Sequence, residues 1–257
     1  MAIDYLESNG VTYRNDYDAA SLIWHHALAI GYSPLYLSEN ADGIKIDWPR
    51  IPLPDDKVRL MESAKLGSLV AALLDTEGQV PGVTTGTTRP ELRKVAVITK
   101  VGGGNLNLGA GESALTAGWG HGGKDGVTMP GKGKVVERNY DPEEKSSIEA
   151  GAEYLGLTPE QALAHLGETT CDIYLNDTAY WTNIPRRVWD YTIGGYQVIK
   201  KWLSYRERDL LGRALTAEEI IEVTNMARRI AAIILLEPML NDNYLKIKEN
   251  TYSWNHK

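Results

Sequence analysis

The sequence has no phenylalanine and only one cysteine, Cys171, in 257 residues. A single cysteine excludes an internal disulfide and is typical of a protein in a reducing cytoplasm. The longest apolar run, residues 230–236, is too short to cross a bilayer. The first ten residues are acidic and lack the apolar centre of a secretory signal. We therefore expect a cytoplasmic protein with no membrane partner.

The net charge of −7 would, taken alone, argue against nucleic acid as a partner. The charge is unevenly distributed, however. Residues 1–92 have thirteen acidic and seven basic side chains, whereas residues 181–213 have seven basic and three acidic ones. The glycine-rich stretch 118–138 is also basic, with four basic and two acidic side chains. The sequence thus predicts a polarised molecule whose basic surface faces a polyanion.

Hydrophobic periodicity and turn residues predict an α+β fold, with a β-rich central region flanked by helical N- and C-terminal parts. We expect one domain over residues 1–257. Within it, residues 1–92 are predicted to be mainly helical, 93–182 to be β-rich with a Gly-rich loop, and 183–257 to be mainly helical.

Capping residues and prolines place the expected helices. A helix is predicted over residues 17–31, and the three prolines of 48–54 force an extended path. Asp55 or Asp56 then caps a helix, with these apolar positions at helical spacing: Val58, Met61, Leu66, Leu69, Leu73 and Leu74. Three further helices are predicted to begin after Asp141, Thr158 and Thr216, the second ending at Gly167 and the third at Pro238.

The expected strands lie in the middle of the chain. β-branched residues predict strands over 94–100 and 134–138. Residues 172–181 are typical of a hairpin that turns at Asn176 and Asp177.

Residues 118–125 approach the phosphate-binding pattern GxxxxGK[ST]. Asp125 stands where a hydroxyl should bind magnesium, and the glycines and proline that follow cannot form the required helix. We interpret the stretch as a glycine-rich turn system. It could also approach phosphates through its lysines and backbone N–H groups.

The sequence also lacks other catalytic and metal-binding patterns. His25 and His26 are adjacent, so on a helix they diverge by about 100° and cannot face one ion. Cys171 has no nearby histidine, and the adjacent Asp172 would raise the pKa of its thiol. Neither the loop of an amino-methylating enzyme nor a nuclease motif with its upstream Pro-Asp pair is present. We expect no cofactor, no metal and no covalent chemistry by this chain alone.

Residues 180–208 are dense in aromatic, basic and glycine residues. We interpret Trp189 and Trp202 mainly as core, and the adjacent Gly194 and Gly195 as positions of close backbone approach. A helix from Val198 would direct four side chains outward: Lys200, Lys201, Ser204 and Arg208. Cations interleaved with aromatics suit a phosphate backbone with some base contacts, although a solvated helix face would have a similar composition.

Several long runs resemble the C-terminal specificity domain of the single-chain Type ISP restriction–modification enzymes and related domains of adenine-N6 DNA methyltransferases. The runs are VWDYTIGGYQVIKKWLSYRERDLLGRALTAEE (188–219), YLNDTAYWTNIP (174–185), DWPRIPLP (47–54), LTAGWGHGGKDGVTMPGKGKVVER (115–138) and RRIAAIILLEPMLNDNY (228–244). They cover most of the chain from about residue 17 onward.

The resemblance implies a role in contacting a specific duplex sequence. In that family the nuclease, ATPase and methyltransferase modules lie N-terminal to this domain. The chain would then be non-catalytic alone and would direct a partner adenine-N6 methyltransferase and helicase or nuclease modules. Because it begins with its own Met1, we expect an excised domain or a truncated product.

The sequence therefore predicts double-stranded DNA as a partner. Phosphate contacts are expected from residues 124–138 and 186–208, and Arg186, Arg187 and Gln197 are candidates for base edges. The predicted DNA-binding residues are Lys124, Lys132, Lys134, Arg138, Arg186, Arg187, Gln197, Lys200, Lys201 and Arg208. Two alternatives stay open: a protein-docking module of the same enzyme, and a degenerate nucleotide- or S-adenosylmethionine-binding enzyme.

Overall fold

A computed structural model describes residues 2–253 and divides the chain into two compact units. The first unit comprises residues 1–78 and 236–257, and the second comprises residues 79–235. The predicted α+β fold class is confirmed, since a four-stranded antiparallel sheet lies between helical ends of the chain.

The first unit is helical. Its elements are α1 (Ala2–Ser8), α2 (Asp16–Gly31), α3 (Pro34–Glu39), α4 (Ala41–Ile46), α5 (Lys57–Leu74) and the C-terminal part of α11 (Ala217–Glu249). Asp56 caps α5, because its carboxylate accepts a hydrogen bond from the backbone N of Arg59 at 2.9 Å. The proline-rich segment that precedes this cap is not helical, as predicted.

Helices α2 and α5 pack closely through a glycine. A Cβ atom on Gly67 would lie 1.6 Å from the carbonyl oxygen of His25, so only glycine permits this approach. The packed side of α5 is formed by buried residues: Leu60, Ser63, Ala64, Leu66, Gly67, Val70 and Leu73. Three of the apolar positions noted from the sequence pattern, Val58, Met61 and Leu69, are instead exposed.

His26 is fully buried in the first unit and is held by two hydrogen bonds. Its Nε2 lies 2.9 Å from the carbonyl oxygen of Pro52, which can only accept, so Nε2 carries the proton. Its unprotonated Nδ1 accepts from Ser63 Oγ at 2.8 Å, and the same hydroxyl oxygen accepts from Asn243 Nδ2 at 3.0 Å. These partners suit a neutral imidazole, and burial lowers the pKa of His26 below its ordinary value of 6.5.

The prediction that the last helix ends at Pro238 is wrong. Helix α11 continues to Glu249 with Pro238 inside it. The residues beyond the proline bury Leu240, Tyr244 and Ile247. In addition, Asn241 Oδ1 accepts hydrogen bonds from Ser33 Oγ at 2.8 Å and Leu35 N at 3.0 Å. We attribute the continuation to these tertiary contacts, which offset the one backbone hydrogen bond that proline cannot donate.

The second unit is built on the four-stranded sheet. Its strands are β1 (Val97–Lys100), β4 (Val135–Arg138), β5 (Thr170–Tyr174) and β6 (Ala179–Pro185), in the order β1-β6-β5-β4. The predicted hairpin β5–β6 is confirmed. Its turn is stabilised by Asn176, whose Oδ1 accepts from the backbone N atoms of Thr178 and Ala179 at 2.7 and 3.0 Å.

Two small hairpins and short helices complete the second unit. The hairpins are β2 (Gly120–Gly122) with β3 (Thr128–Pro130), and β7 (Thr192–Ile193) with β8 (Tyr196–Gln197). The helices are α6 (Pro142–Ala152), α7 (Pro159–Leu166), α8 (Arg186–Trp189), α9 (Val198–Ser204), α10 (Arg208–Leu211) and the N-terminal part of α11. The predicted caps at Asp141, Thr158 and Thr216 are present.

We predict that the free energy of unfolding falls as the pH drops below about 6.5, the pKa of an unfolded histidine. Because the folded pKa of His26 is lower, the unfolded chain binds a proton first, with a limiting slope of about 1.4 kcal/mol per pH unit. His26→Gln should reduce this slope. Urea melts between about pH 7.5 and about pH 5.5 measure it.

The matched control is His25→Gln, which removes the neighbouring half-buried histidine of α2. It should keep the slope of the unmodified chain. An equal loss of slope in both variants would contradict the role given to His26, whatever the absolute stabilities.

Candidate nucleic-acid interface

The glycine-rich stretch forms a hairpin rather than a phosphate-binding loop. Strands β2 and β3 pair antiparallel, and a single 3-10 turn over Lys124–Gly126 joins them. Asp125 in this turn has a φ of 61°, a left-handed conformation. No helix begins where a nucleotide-binding loop would require one, so the interpretation as a turn system is confirmed.

The hairpin is held against α9 and the start of α10. A Cβ atom on Gly120 would lie 1.9 Å from the carbonyl oxygen of Ser204, so strand β2 meets the end of α9 backbone to backbone. The carboxylate of buried Glu207 accepts from the backbone N atoms of Gly118 at 3.1 Å and Trp119 at 2.7 Å. The two basic stretches of the sequence therefore meet in the fold.

The tryptophans around this junction are scaffold. Trp119 is fully buried and Trp189 is 6% exposed, and their rings make an edge-to-face contact with centroids 5.5 Å apart. The Nε1 of Trp202 donates to Glu222 at 2.6 Å, and the guanidinium of Arg206 lies 3.8 Å from its ring. The assignment of Trp189 to the core is confirmed, whereas Trp202 is only half-buried.

Arg138 is the most heavily bonded of the predicted DNA-binding residues. Its guanidinium donates to the carboxylate of Glu144 at 2.7 and 2.8 Å, and to that of Asp172 at 2.9 and 3.0 Å. It also donates to Thr182 Oγ1 at 2.8 Å. The network joins β4, α6, β5 and β6, and both carboxylates are largely buried. Arg138 thus neutralises two internal acids.

Arg186 and Lys134 also have acidic partners. Arg186 pairs with Glu137 at 2.8 Å and Asp190 at 2.5 Å. Lys134 pairs with Asp177 at 3.2 Å and lies 4.3 Å from the centre of the Tyr174 ring. Each pair reduces the charge that the side chain can offer to a polyanion.

The other two candidates for reading bases have polar protein partners. Arg187 is exposed and donates to the carbonyl oxygen of His165 at 2.8 Å. The amide of Gln197 donates to Asp190 at 3.2 Å. Both side chains would have to break these hydrogen bonds before they could bond to a base edge.

Four of the predicted cations form no ion pair within residues 2–253: Lys124, Lys132, Lys200 and Arg208. Lys200 is half-buried and the other three are exposed. Lys124 lies in the β2–β3 hairpin and Lys132 directly after it, whereas Lys200 lies on α9 and Arg208 on α10. Glu207 joins these two regions through its hydrogen bonds to Gly118 and Trp119. An unpaired cation retains its full attraction for a polyanion.

Lys201 differs from these four because two tyrosines flank it. Its Nζ lies 4.8 Å from the ring centre of Tyr196 and 4.7 Å from that of Tyr205. Tyr196 is 61% exposed and Tyr205 is 48% exposed. The sequence pattern anticipated the mixture of aromatics and cations, but it did not select Tyr196 and Tyr205 as the exposed rings.

One outward-facing assignment in α9 is wrong. Ser204 is fully buried, and its Oγ donates to the carbonyl oxygen of Lys201 at 2.8 Å. The close approach of Gly120 covers this residue. The predicted helix from Val198 is confirmed, but it ends at Ser204, and Arg208 belongs to α10.

The fold also defines the state of the cysteine. Cys171 lies on β5 with no exposed surface, and burial raises the pKa of its thiol to about 11. Among the described residues, no three His, Cys, Asp or Glu side chains are grouped to hold a metal ion. Within residues 2–253, no helix is long and apolar enough to cross a membrane.

The comparison with known protein families agrees with the resemblance seen in the sequence. The family of Type ISP C-terminal specificity domains matches residues 19–232, which is most of the chain. No curated protein and no solved structure matches it significantly. The domains of this family have a target-recognition role in restriction enzymes. The chain belongs to the family of Type ISP C-terminal specificity domains.

Proposed function

We propose that the chain recognises a specific sequence in double-stranded DNA on behalf of a restriction–modification enzyme. The observation that carries the proposal is the position of the unpaired cations. Residues 118–133 and 196–209, here called the hairpin–helix surface, include Lys124, Lys132, Lys200, Lys201 and Arg208. The exposed acids within it are Asp125 and Asp209, so the local balance favours a polyanion.

The physical basis is counterion release. Duplex DNA has a dense row of phosphates, and each cation that reaches a phosphate releases condensed counterions. Ion-paired residues such as Arg186 must first break a contact with a carboxylate, which reduces their gain. We therefore assign the phosphate contacts to the hairpin–helix surface. Arg186, Arg187 and Gln197 remain the proposed base-reading residues.

The chain itself would do no covalent chemistry. Its partners would be an adenine-N6 methyltransferase module and helicase or nuclease modules of the same cytoplasmic enzyme. Binding energy at the target sequence would then position those modules on the duplex. Membership of a family of specificity domains supports this division of labour.

We predict that the full chain selects one sequence pattern from a pool of randomised duplexes. Repeated binding and amplification at about 0.1 M salt measures this, followed by titration of the enriched duplex and of a scrambled one. Specific proteins bind their sites about a thousandfold or more above random DNA, and an isolated domain should show at least part of that ratio. Binding without any enrichment would overturn the proposal, as would no binding.

We predict that the double variant Lys124→Gln/Lys200→Gln binds the enriched and scrambled duplexes more weakly by a similar factor. The slope of log K against log salt should become shallower by about 0.9 for each lysine that contacts a phosphate. Titrations at several salt concentrations measure the slope.

The control is Lys65→Gln/Lys145→Gln, which removes two exposed lysines from α5 and α6. It changes the net charge by the same amount. If both double variants alter the slope equally, net charge rather than the hairpin–helix surface governs binding.

We predict that Arg138→Met lowers the free energy of unfolding by about 3–5 kcal/mol, because it leaves two buried carboxylates without their cation. Arg138→Lys should restore only part of the loss, since an ammonium cannot make the same paired bonds. Arg213→Met is the control. Arg213 is 49% exposed and pairs with Glu219. Breaking this pair should lower the free energy of unfolding by about 1 kcal/mol or less.

Thermal melts measure these stabilities, and duplex titrations of the folded variants accompany them. A fully stable Arg138→Met variant with weakened, less salt-dependent DNA binding would show instead that Arg138 is a phosphate contact.

A further inference from the structure

The β7–β8 hairpin projects from the second unit with an apolar tip. Residues 192–196 are all exposed, and Ile193 and Tyr196 have 54% and 61% of their surface in solvent. The expectation of close backbone approach at Gly194 and Gly195 is wrong, because a Cβ atom on either residue would meet no other atom within 4 Å. The turn therefore extends into open space.

The tip has a defined conformation. Ile193 pairs with Tyr196 across the two strands, and the glycines between them have φ values of 58° and 82°. Two consecutive positive φ angles are typical of the tight turn whose twist matches an antiparallel hairpin. Residues directly opposite each other in such a pair have side chains on the same face of the ribbon. Ile193 and the ring of Tyr196 thus share one face.

That face adjoins positive charge. Lys201 lies over the Tyr196 ring, and Lys200, which has no ion pair in the described part of the chain, is its neighbour on α9. Strand β8 leads directly into this helix. A partner that covered the isoleucine would gain free energy from the apolar surface removed from water.

The size of the tip decides which partner fits. A stable protein interface needs about 800 Å² from each side, more than a six-residue hairpin with two glycines can offer. A two-stranded ribbon is narrow enough for the major groove of B-DNA, which is about 12 Å wide. There, apolar side chains discriminate bases through contacts such as that with the thymine methyl group.

We propose that the β7–β8 hairpin enters the major groove and that Ile193 is a specificity-determining residue through apolar contact with a base. The inference rests on the proposed function and adds a reading element to it. Lys200 and Lys201 hold the adjacent phosphates, while Tyr196 supports the isoleucine from the opposite strand.

The test is Ile193→Thr, titrated against the enriched duplex and the scrambled duplex. Threonine is β-branched and retains strand propensity, so the hairpin should form. The ratio of specific to non-specific affinity should fall about tenfold. The affinity for the scrambled duplex and its salt slope should be unchanged, because no phosphate contact is removed.

The matched control is Ile221→Thr, which alters an isoleucine on α11 that is 55% exposed. It should keep the full affinity ratio. An unchanged ratio in Ile193→Thr, with the unmodified chain still selecting its sequence, would overturn the role of the hairpin alone. If the unmodified chain selects no sequence, the proposed function fails and this inference fails with it.

Discussion

The carboxylate of Glu207 joins the two parts of the chain that form the hairpin–helix surface. It accepts two backbone N–H groups from Gly118 and Trp119, nearly ninety residues away in sequence. Hydrogen bonds to a charged acceptor contribute about 1.5–3 kcal/mol each, and these are largely shielded from water. Together with the close approach of Gly120 to Ser204, they fix the lysines of the hairpin relative to those of α9.

Ion pairing then divides the basic residues into two groups. Arg138 pairs with two largely buried carboxylates, whereas Arg186 pairs with the partly exposed carboxylates of Glu137 and Asp190. Lys124, Lys132, Lys200 and Arg208 have no such partner among residues 2–253 and keep their charge available. A molecule with a net charge of −7 can therefore present a local cationic surface. The distribution of partners matters more than the sum of charges.

Local signals predicted local structure well. The caps at Asp56, Asp141 and Thr158 place helix starts correctly, because a capping side chain bonds backbone groups only two or three residues away. The turn at Asn176 was predictable for the same reason. In contrast, Pro238 predicted the end of a helix that in fact continues, because the residues beyond it are buried by tertiary contacts. On α5, the small residues Ser63 and Gly67 lie on the packed side, while some larger apolar residues are exposed.

By itself, the sequence determined the fold class, the longer helices, the strands of the four-stranded sheet and membership of the specificity-domain family, because these depend on local chemistry and on long characteristic runs. Only the tertiary structure decided which cations are paired and which aromatics are exposed. Both outcomes depend on contacts between distant residues. Arg138 pairs with Asp172 on the neighbouring strand, and Gly120 covers Ser204. No local sequence pattern encodes either contact.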